Sequence, residues 1–249
     1  MSATADRAAW LKGPEVHCHK ERVYPERPYR MILMGAPGTG KGTQAELLSE
    51  RFCACHLSTG DVFRAARCVD PSFTSPAMQR ALECMQRGEL VPDETVLELV
   101  RERVECLKCD YGFVFDGFPR TVAQAVSLDA LFECAGVVLD AVISYELPTH
   151  EVVERLGGRR TCRGCGATWH IRHKPPAREG VCDACGGELY QRVDDNPASI
   201  AVRLQAYEQT AGPLRDYYRR KNLLLSICAA GSPQEVFEQT LLAMQAKLA

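Results

Sequence analysis

The stretch GAPGTGKGT, residues 35–43, decides the fold of this chain. It directly follows the apolar run Met31–Met34 and directly precedes a helical pattern that ends at about Phe52. A strand, a glycine-rich turn, a Lys and then a helix form the layout of a phosphate-binding loop. The glycines let backbone N–H groups turn inward around an anion, and the helix N-terminus adds its positive dipole end. Lys41 adds a full charge for the outer phosphates of a nucleotide.

Composition and charge exclude several classes of protein. The 249 residues are 46% hydrophobic and 25% charged, and the net charge of −2 provides no basic field for nucleic acid. The chain lacks a long apolar run and an apolar N-terminal segment, so we expect neither a membrane span nor a secretory signal. Thirteen cysteines, an odd number, favour a reducing, cytoplasmic compartment over a disulfide framework. Residues 1–28 are predicted to be a flexible extension.

Five apolar segments separated by helical patterns predict the core of the fold. Continuous apolar runs are typical of parallel strands buried on both faces. The predicted class is α/β, a doubly wound five-stranded parallel sheet that resembles phosphate-loop NTPases. The predicted strands are Tyr29–Met34, Ala54–Leu57, Gly112–Asp116, Ala141–Glu146 and Leu224–Cys228.

Two segments interrupt this core. Residues 58–88 are predicted to form helices broken at Pro71 and Pro76, whereas residues 158–195 are rich in Gly, Cys and Pro. Both are expected above the carboxyl edge of the sheet, where open α/β sheets bind ligands. The remaining ranges, 29–57, 89–157 and 196–249, are predicted to form the core domain.

Two helix starts in the C-terminal part of the chain carry capping signals. Asp195-Asn196-Pro197 is typical of a cap followed by a first-turn Pro, for a helix that ends at about Lys221. Ser232-Pro233-Gln234-Glu235 has the spacing of a capping box and predicts the last helix.

Four cysteines in the second insertion have the spacing of a metal site. Cys162 and Cys165 form one CxxC pair, Cys182 and Cys185 form another, and 16 residues separate the pairs. This spacing is typical of a four-cysteine zinc ribbon. Because protein would fill all four positions, we expect a closed, structural zinc site. A third pair, Cys106 and Cys109, has no matching pair, and we assign it no metal.

Polar residues follow the second and third predicted strands. Asp116 ends the third strand, where a carboxylate can hold Mg²⁺ directly or through water. Arg120 can bind a phosphate through two parallel hydrogen bonds. Thr59 and Arg64 follow the second strand, and by themselves they could equally be a helix cap and a surface Arg.

Taken together, these residues carry a resemblance that covers about 31–248. The chain resembles adenylate kinases of the type with a zinc-containing lid. In this family Gly follows the loop Lys and Thr comes second, as Gly42 and Thr43 do here. The matching pieces are GAPGTGKGTQA, STGDVFRAA, GELVPDE, GFVFDGFPRT with Gln124, GGRR, the two CxxC pairs, GGELYQRVDD and the helix with Arg203.

The resemblance implies reversible, Mg²⁺-dependent phosphoryl transfer from ATP to AMP, giving two ADP, by a cytoplasmic monomer that maintains adenine nucleotide balance. It implies an AMP-binding insertion at 58–88 and a zinc lid at 158–195, with hinges near Gly157 and Asp195. Asp194 and Asp195 would pair with arginines on closure, and Phe118–Pro119 would be a cis peptide.

The resemblance also implies which residues act. The catalytic set would be Lys41, Asp116, Arg120, Arg159, Arg192 and Arg203. The ATP set would be Gly38, Thr39, Gly40, Lys41, Gly42, Thr43, Arg155, Arg159, Thr168, Trp169 and Pro233. The AMP set would be Thr59, Arg64, Glu89, Leu90, Val91, Gly117, Phe118, Pro119, Arg120, Gln124, Arg192 and Arg203.

Two alternatives stay open at the level of sequence. A UMP/CMP kinase or a GTP:AMP phosphotransferase would share most of these motifs, although Thr59 and Gln124 favour AMP as acceptor. The second alternative is a zinc-ribbon nucleic-acid-binding module on an inactive nucleotide fold. Acidic residues within 158–195 offset the basic residues there, which counts against this alternative.

Overall fold

The computed structural model describes residues 27–66, 75–86, 91–102 and 112–248, without the side chains of residues 61, 64–66, 85 and 86. The predicted break at Pro71, the Cys106/Cys109 pair and nearly all of the predicted N-terminal extension lie outside the described residues.

The described residues form eight strands in two sheets. The five-stranded sheet has the order β2-β3-β1-β4-β8 with every pair parallel, and the smaller sheet has the order β6-β5-β7. The five predicted core strands are confirmed within one residue at each end. The strands are β1 (Tyr29–Gly35), β2 (Cys55–Ser58), β3 (Gly112–Asp116), β4 (Ala141–Glu146), β5 (Arg159–Cys162), β6 (Thr168–His170), β7 (Leu189–Tyr190) and β8 (Leu224–Cys228).

Helices cover both faces of the large sheet, as the doubly wound prediction requires. The helices are α1 (Lys41–Phe52), α2 (Thr59–Ala66), α3 (Pro76–Gln86), α4 (Asp93–Arg101), α5 (Val122–Ala135), α6 (Thr149–Gly157), α7 (Pro197–Arg220) and α8 (Pro233–Leu248). On β1, Ile32 and Met34 face the core cluster that α3, α4, α5 and α7 complete. Met31 and Leu33 face the opposite cluster with α1 and α8. The alternation follows from the period of two in a strand.

Strand β2 begins one residue later than predicted. Cys53 ends α1 with a left-handed backbone, φ 54°, and the carbonyl of Ala54 accepts a hydrogen bond from the Ser49 hydroxyl. These local contacts keep residues 53 and 54 out of the ladder, so pairing with β3 starts at Cys55.

Both predicted capping signals are confirmed. Asn196 caps α7, because its side chain accepts from the backbone N–H of Ser199 at 2.9 Å. At the start of α8 the Glu235 carboxylate accepts from the N–H of Ser232 at 2.7 Å, and the Ser232 hydroxyl accepts from the N–H of Glu235 at 3.3 Å.

The smaller sheet is formed by the chain segment that connects α6 to α7. Its three strands, β5 to β7, are antiparallel and only two to four residues long. Where α6 meets α7, Val152 and Leu156 of α6 pack with Ile200 and Leu204 of α7.

Within the described ranges, no helix combines the length and the apolar character that crossing a membrane requires.

Candidate active site

The glycine-rich loop joins β1 to α1 in a backbone path that needs glycine. Gly35 has φ 146°, and Gly38 and Gly40 both have φ 88°. A Cβ atom on Gly35 would lie 2.6 Å from the carbonyl oxygen of Tyr145, a distance that real Cβ atoms do not reach. Gly40 caps α1, so the loop leads directly into the N-terminus of this helix, an arrangement suited to phosphate.

Lys41 is the centre of charge in this loop. Its ammonium donates to the carbonyls of Gly35 and Ala36 at 2.8 and 2.9 Å. The pKa of Lys41 is lowered to about 8, chiefly by burial, with Asp116 acting to raise it and Arg120, Arg203 and Arg159 acting to lower it. Four cationic side chains therefore converge here, which suits a polyanion such as a nucleotide polyphosphate.

Asp116 faces this cationic group from the end of β3. Its carboxylate oxygen lies 3.7 Å from Nε2 of His56, a buried residue of the neighbouring strand β2. Burial alone would raise the pKa of Asp116, but His56 and Lys41 hold it below its ordinary value. Asp116 is thus an ionised carboxylate, a group of the chemical type that Mg²⁺ prefers as a ligand. His56 was not predicted as a site residue, although a polar residue in an apolar strand was a usable signal.

The predicted acceptor residues meet around the turn after β3. The Phe118–Pro119 peptide is cis, as predicted. The Thr59 hydroxyl donates to the carbonyl of Gly117 at 3.2 Å, and Nε of Arg120 donates to the same carbonyl at 2.7 Å. Gln124, at the start of α5, is buried beside them.

Some predicted acceptor residues cannot be placed at this site. Val91, whose backbone is the predicted contact with AMP, is half-buried and its side chain packs against the core. The side chain of Arg64, and the whole of Glu89 and Leu90, lie outside the described residues.

At the base of the smaller sheet, two arginines form ion pairs with two aspartates. Nε and Nη2 of Arg159 donate to the two carboxylate oxygens of Asp195 at 2.8 and 2.5 Å, a bidentate pair with the Asp195 carboxylate fully buried. Arg203 lies 2.9 Å from the Asp194 carboxylate. The predicted pairing of Asp194 and Asp195 with arginines is therefore present, and it joins the start of β5 to the turn before α7.

Two other predicted arginines contact neighbouring segments. Arg192 donates to the Thr161 hydroxyl at 2.9 Å, which fixes it against β5. Arg155 donates to the carbonyl of Ala229 at 3.0 Å, just after β8. Arg192 therefore lies at the base of the smaller sheet, and Arg155 lies beside the end of the large one.

The four cysteines of the two CxxC pairs form one cluster. Their sulfurs all lie within 4.8 Å of one another, with 3.4 Å between Cys162 and Cys185 and 3.6 Å between Cys165 and Cys182. These distances are too long for a disulfide bond of about 2.05 Å. They are close to the roughly 3.8 Å between sulfurs of a tetrahedral zinc site with Zn–S bonds of about 2.3 Å. The cluster could hold a metal ion.

Comparison with known proteins gives the family. The adenylate kinase family model matches residues 33–223. The chain belongs to the adenylate kinase family. Adenylate kinase from Carboxydothermus hydrogenoformans is 49% identical over 216 residues, 87% of this chain and 99% of the relative. Adenylate kinase from Caldicellulosiruptor bescii is 48% identical over 196 residues, which are 79% of this chain and 89% of the relative. Adenylate kinase from Bacillus licheniformis is 46% identical over 207 residues, which are 83% of this chain and 94% of the relative.

Within this adenylate kinase fold, Thr168 and Trp169 lie on β6 of the smaller sheet. Trp169 is buried with Cys162, Cys182 and Leu189, and the Lys174 ammonium lies 4.9 Å from its ring centroid. Thr168 pairs with Thr161 and is half-buried. Trp169 thus belongs to the core of the smaller sheet beside the cysteine cluster.

Pro233, predicted to contact ATP, is tied to the helix after the loop. The buried Gln44 of α1 donates from Nε2 to the Pro233 carbonyl at 2.8 Å. This bond links the first residue of α8 to α1, the phosphate-loop helix of the adenylate kinase fold. Gln44 was not predicted as a site residue, because its contact joins residues 189 positions apart.

Proposed function

We propose that this chain catalyses reversible, Mg²⁺-dependent transfer of the terminal phosphoryl group of ATP to AMP, giving two ADP. The observation that carries the proposal is the convergence of Lys41 with Arg120, Arg159 and Arg203, opposite Asp116, in a member of the adenylate kinase family. A single Lys would serve one polyphosphate. Arginines from the turn after β3, from β5 and from α7 suit a second phosphate group as well.

The donor, ATP, would lie along the glycine-rich loop. Backbone N–H groups of the loop and the Lys41 ammonium would hold its phosphates, with Arg155 and Arg159 beside them at the base of the lid. Thr168 and Trp169 would approach from the lid, and the turn at Pro233 would touch the adenine through backbone atoms. The proposed donor set is Gly38, Thr39, Gly40, Lys41, Gly42, Thr43, Arg155, Arg159, Thr168, Trp169 and Pro233.

The acceptor, AMP, would bind on the other side of the cationic group. Arg64 and Arg120 would hold its phosphate, while Thr59 and Gln124 would face its base. Arg192 and Arg203 would reach both phosphate chains. The proposed acceptor set is Thr59, Arg64, Glu89, Leu90, Val91, Gly117, Phe118, Pro119, Arg120, Gln124, Arg192 and Arg203.

The catalytic contribution of these residues would be positioning and charge neutralisation. The acceptor phosphate is already an anion, so the reaction needs no general base. The proposed catalytic residues, Lys41, Asp116, Arg120, Arg159, Arg192 and Arg203, would hold the two phosphates in line and neutralise charge on the transferring group. Mg²⁺, when bound with ATP, supplies further charge neutralisation, and the ionised Asp116 carboxylate fits it as a direct or water-mediated ligand.

We propose Zn²⁺ as the ion of the four-cysteine cluster, with a structural role. Four thiolates at tetrahedral spacing suit zinc and leave no open position for a substrate. Residues 158–195 would then act as a lid on the core (29–57, 89–157 and 196–249), moving near Gly157 and Asp195, with 58–88 as the AMP-binding insertion. Closure would exclude water and suppress hydrolysis of ATP. A cytoplasmic location and a monomeric state stay predictions of the family resemblance.

The ionisation of Lys41 predicts how ATP binding depends on pH. Its pKa of about 8 lies below the ordinary value of 10.5, so the ammonium of the free protein loses its proton as pH rises through about 8. The Kd for ATP should therefore increase above this pH, and calorimetric titrations between about pH 6.5 and 9.5 would measure it. Lys41→Arg keeps its charge over this range, so its Kd for ATP should not increase near pH 8. An increase in Kd near pH 8 that persists in Lys41→Arg would assign the pH dependence to another group.

An acceptor panel tests the proposed function. Rates of nucleoside diphosphate formation with saturating Mg·ATP are compared for AMP, GMP, CMP and UMP, and then for GTP in place of ATP. We expect AMP to have by far the largest kcat/KM, with ATP as the better donor. A preference for CMP or UMP would replace the proposal with a pyrimidine nucleotide kinase. Salt-dependent binding of RNA or DNA without turnover of any nucleotide would favour a nucleic-acid-binding module.

A further inference from the structure

The buried amide of Gln124 has a polar partner at each end. Its Nε2 donates to the Asp93 carboxylate at 2.6 Å, and its Oε1 accepts from the backbone N–H of Arg120 at 2.7 Å. Gln124 is only 5% exposed, so water does not compete freely for either bond. Asp93 is the first residue of α4, 31 positions earlier in the chain.

These partners permit one of the two amide orientations. A carboxylate only accepts hydrogen bonds and a backbone N–H only donates. Rotating the amide by half a turn would put Oε1 against the Asp93 carboxylate and Nε2 against the Arg120 N–H, which breaks both bonds. Thr121 closes the arrangement, because its hydroxyl donates to the second Asp93 oxygen at 2.9 Å and accepts from the Gln124 N–H at 3.1 Å.

The fixed amide keeps one donor and one acceptor for a ligand. Two protons on Nε2 and two lone pairs on Oε1 provide four hydrogen bonds, and the protein uses two of them. Adenine offers a donor at N6 beside an acceptor at N1, whereas guanine offers an acceptor at O6 beside a donor at N1. An amide pairs with one or the other according to which way its oxygen and nitrogen point.

We propose that Asp93 is a positioning residue that locks the Gln124 amide and thereby sets the acceptor site to read adenine rather than guanine. The inference rests on the proposed function, because it takes Gln124 as the residue that meets the acceptor base. Asp93 would act through Gln124, without touching the nucleotide. The Arg120 N–H favours the same orientation, and the carboxylate makes the opposite one unfavourable.

Asp93→Asn tests this role with little change in shape. An Asn amide can accept from Nε2 of Gln124 or donate to its Oε1, so residue 93 no longer excludes the flipped amide and only the Arg120 N–H still opposes it. We expect the KM for AMP to increase and the ratio of kcat/KM for AMP over GMP to fall at least about tenfold. The KM for ATP should stay near the wild-type value.

The matched control is Glu94→Gln, which removes the neighbouring acid from the same first turn of α4. Glu94 is exposed, so its loss reproduces the change in helix-end charge without touching Gln124. A general loss of stability would lower both rates together and leave the AMP/GMP ratio unchanged. Asp93→Ser, whose hydroxyl can donate or accept, is the second variant if Asp93→Asn does not fold, and the same fall in ratio is expected.

The outcomes separate the two proposals. Wild-type protein that does not phosphorylate AMP overturns the proposed function. Wild-type protein that prefers AMP, together with a folded Asp93 variant that keeps the full AMP/GMP ratio, overturns the role of Asp93 alone. A reduced ratio in Asp93→Asn with an unchanged ratio in Glu94→Gln supports it.

Discussion

Replacing Lys41 with Ala is expected to lower kcat by at least about 10²–10³ while the fold is retained. Removing one preorganised donor aimed at developing charge typically costs this much. Lys41 is the only ammonium within the loop, and the guanidinium groups around it come from Arg120, Arg159 and Arg203 on other segments. Coupled assays of ADP formation with saturating Mg·ATP and AMP measure the loss.

The same substitution should leave the melting temperature unchanged or slightly higher. A lysine pKa held below its ordinary value means that the folded protein disfavours the charged form. Among the described residues the Lys41 ammonium donates to the carbonyls of Gly35 and Ala36, and because Lys41 is half-buried we expect water to take its place at these carbonyls. Lys247→Ala, in the last turn of α8, is the matched control and should keep wild-type turnover. Near-normal turnover of Lys41→Ala would refute the role of the loop.

Removing the proposed zinc ion from the cysteine cluster is expected to have the largest effect on stability. The core of the smaller sheet consists of Cys162, Trp169, Cys182 and Leu189 with two half-buried neighbours, so half of its buried residues are proposed ligands. Such a small core rarely stabilises a domain without a metal or disulfide. Strong chelator, or Cys182→Ser, should therefore lower the melting temperature by several degrees at least.

The loss should be local before it is global. Hydrogen exchange should accelerate in β5, β6 and β7 first, while β1, β3 and β4 stay protected. Cys228→Ser changes an exposed cysteine outside the cluster and is the matched control. Metal analysis must show bound zinc before chelation and none after it. Metal-free protein with an unchanged melting curve and unchanged exchange would contradict a structural metal.

The three central strands of the large sheet, β3, β1 and β4, were predictable because each is a nearly continuous apolar run that is buried along most of its length. Burial on both faces forces that pattern, and the predicted strands agree with the observed ones within one residue at each end. The glycine-rich loop was predictable for a similar reason, since its backbone angles at Gly35, Gly38 and Gly40 exclude most other residues.

The contacts that orient the site could not be predicted from local patterns. Asp93 follows a Pro at the start of a helix, which indicates no more than an acid in a first turn, and its bond to Gln124 depends on how α4 packs against α5. His56 and Gln44 likewise gain their partners from distant segments. Strands β5, β6 and β7 have at most four residues each, too few for a period to appear.

Phosphorus NMR of the wild-type protein with equimolar Mg·ATP and AMP tests the central claim most directly. The account predicts that ATP and AMP signals fall together and that two ADP form for each AMP consumed, without inorganic phosphate. ADP and Mg²⁺ alone should give ATP and AMP by the reverse reaction. Release of inorganic phosphate at a rate independent of AMP, or no reaction in either direction, would contradict the account.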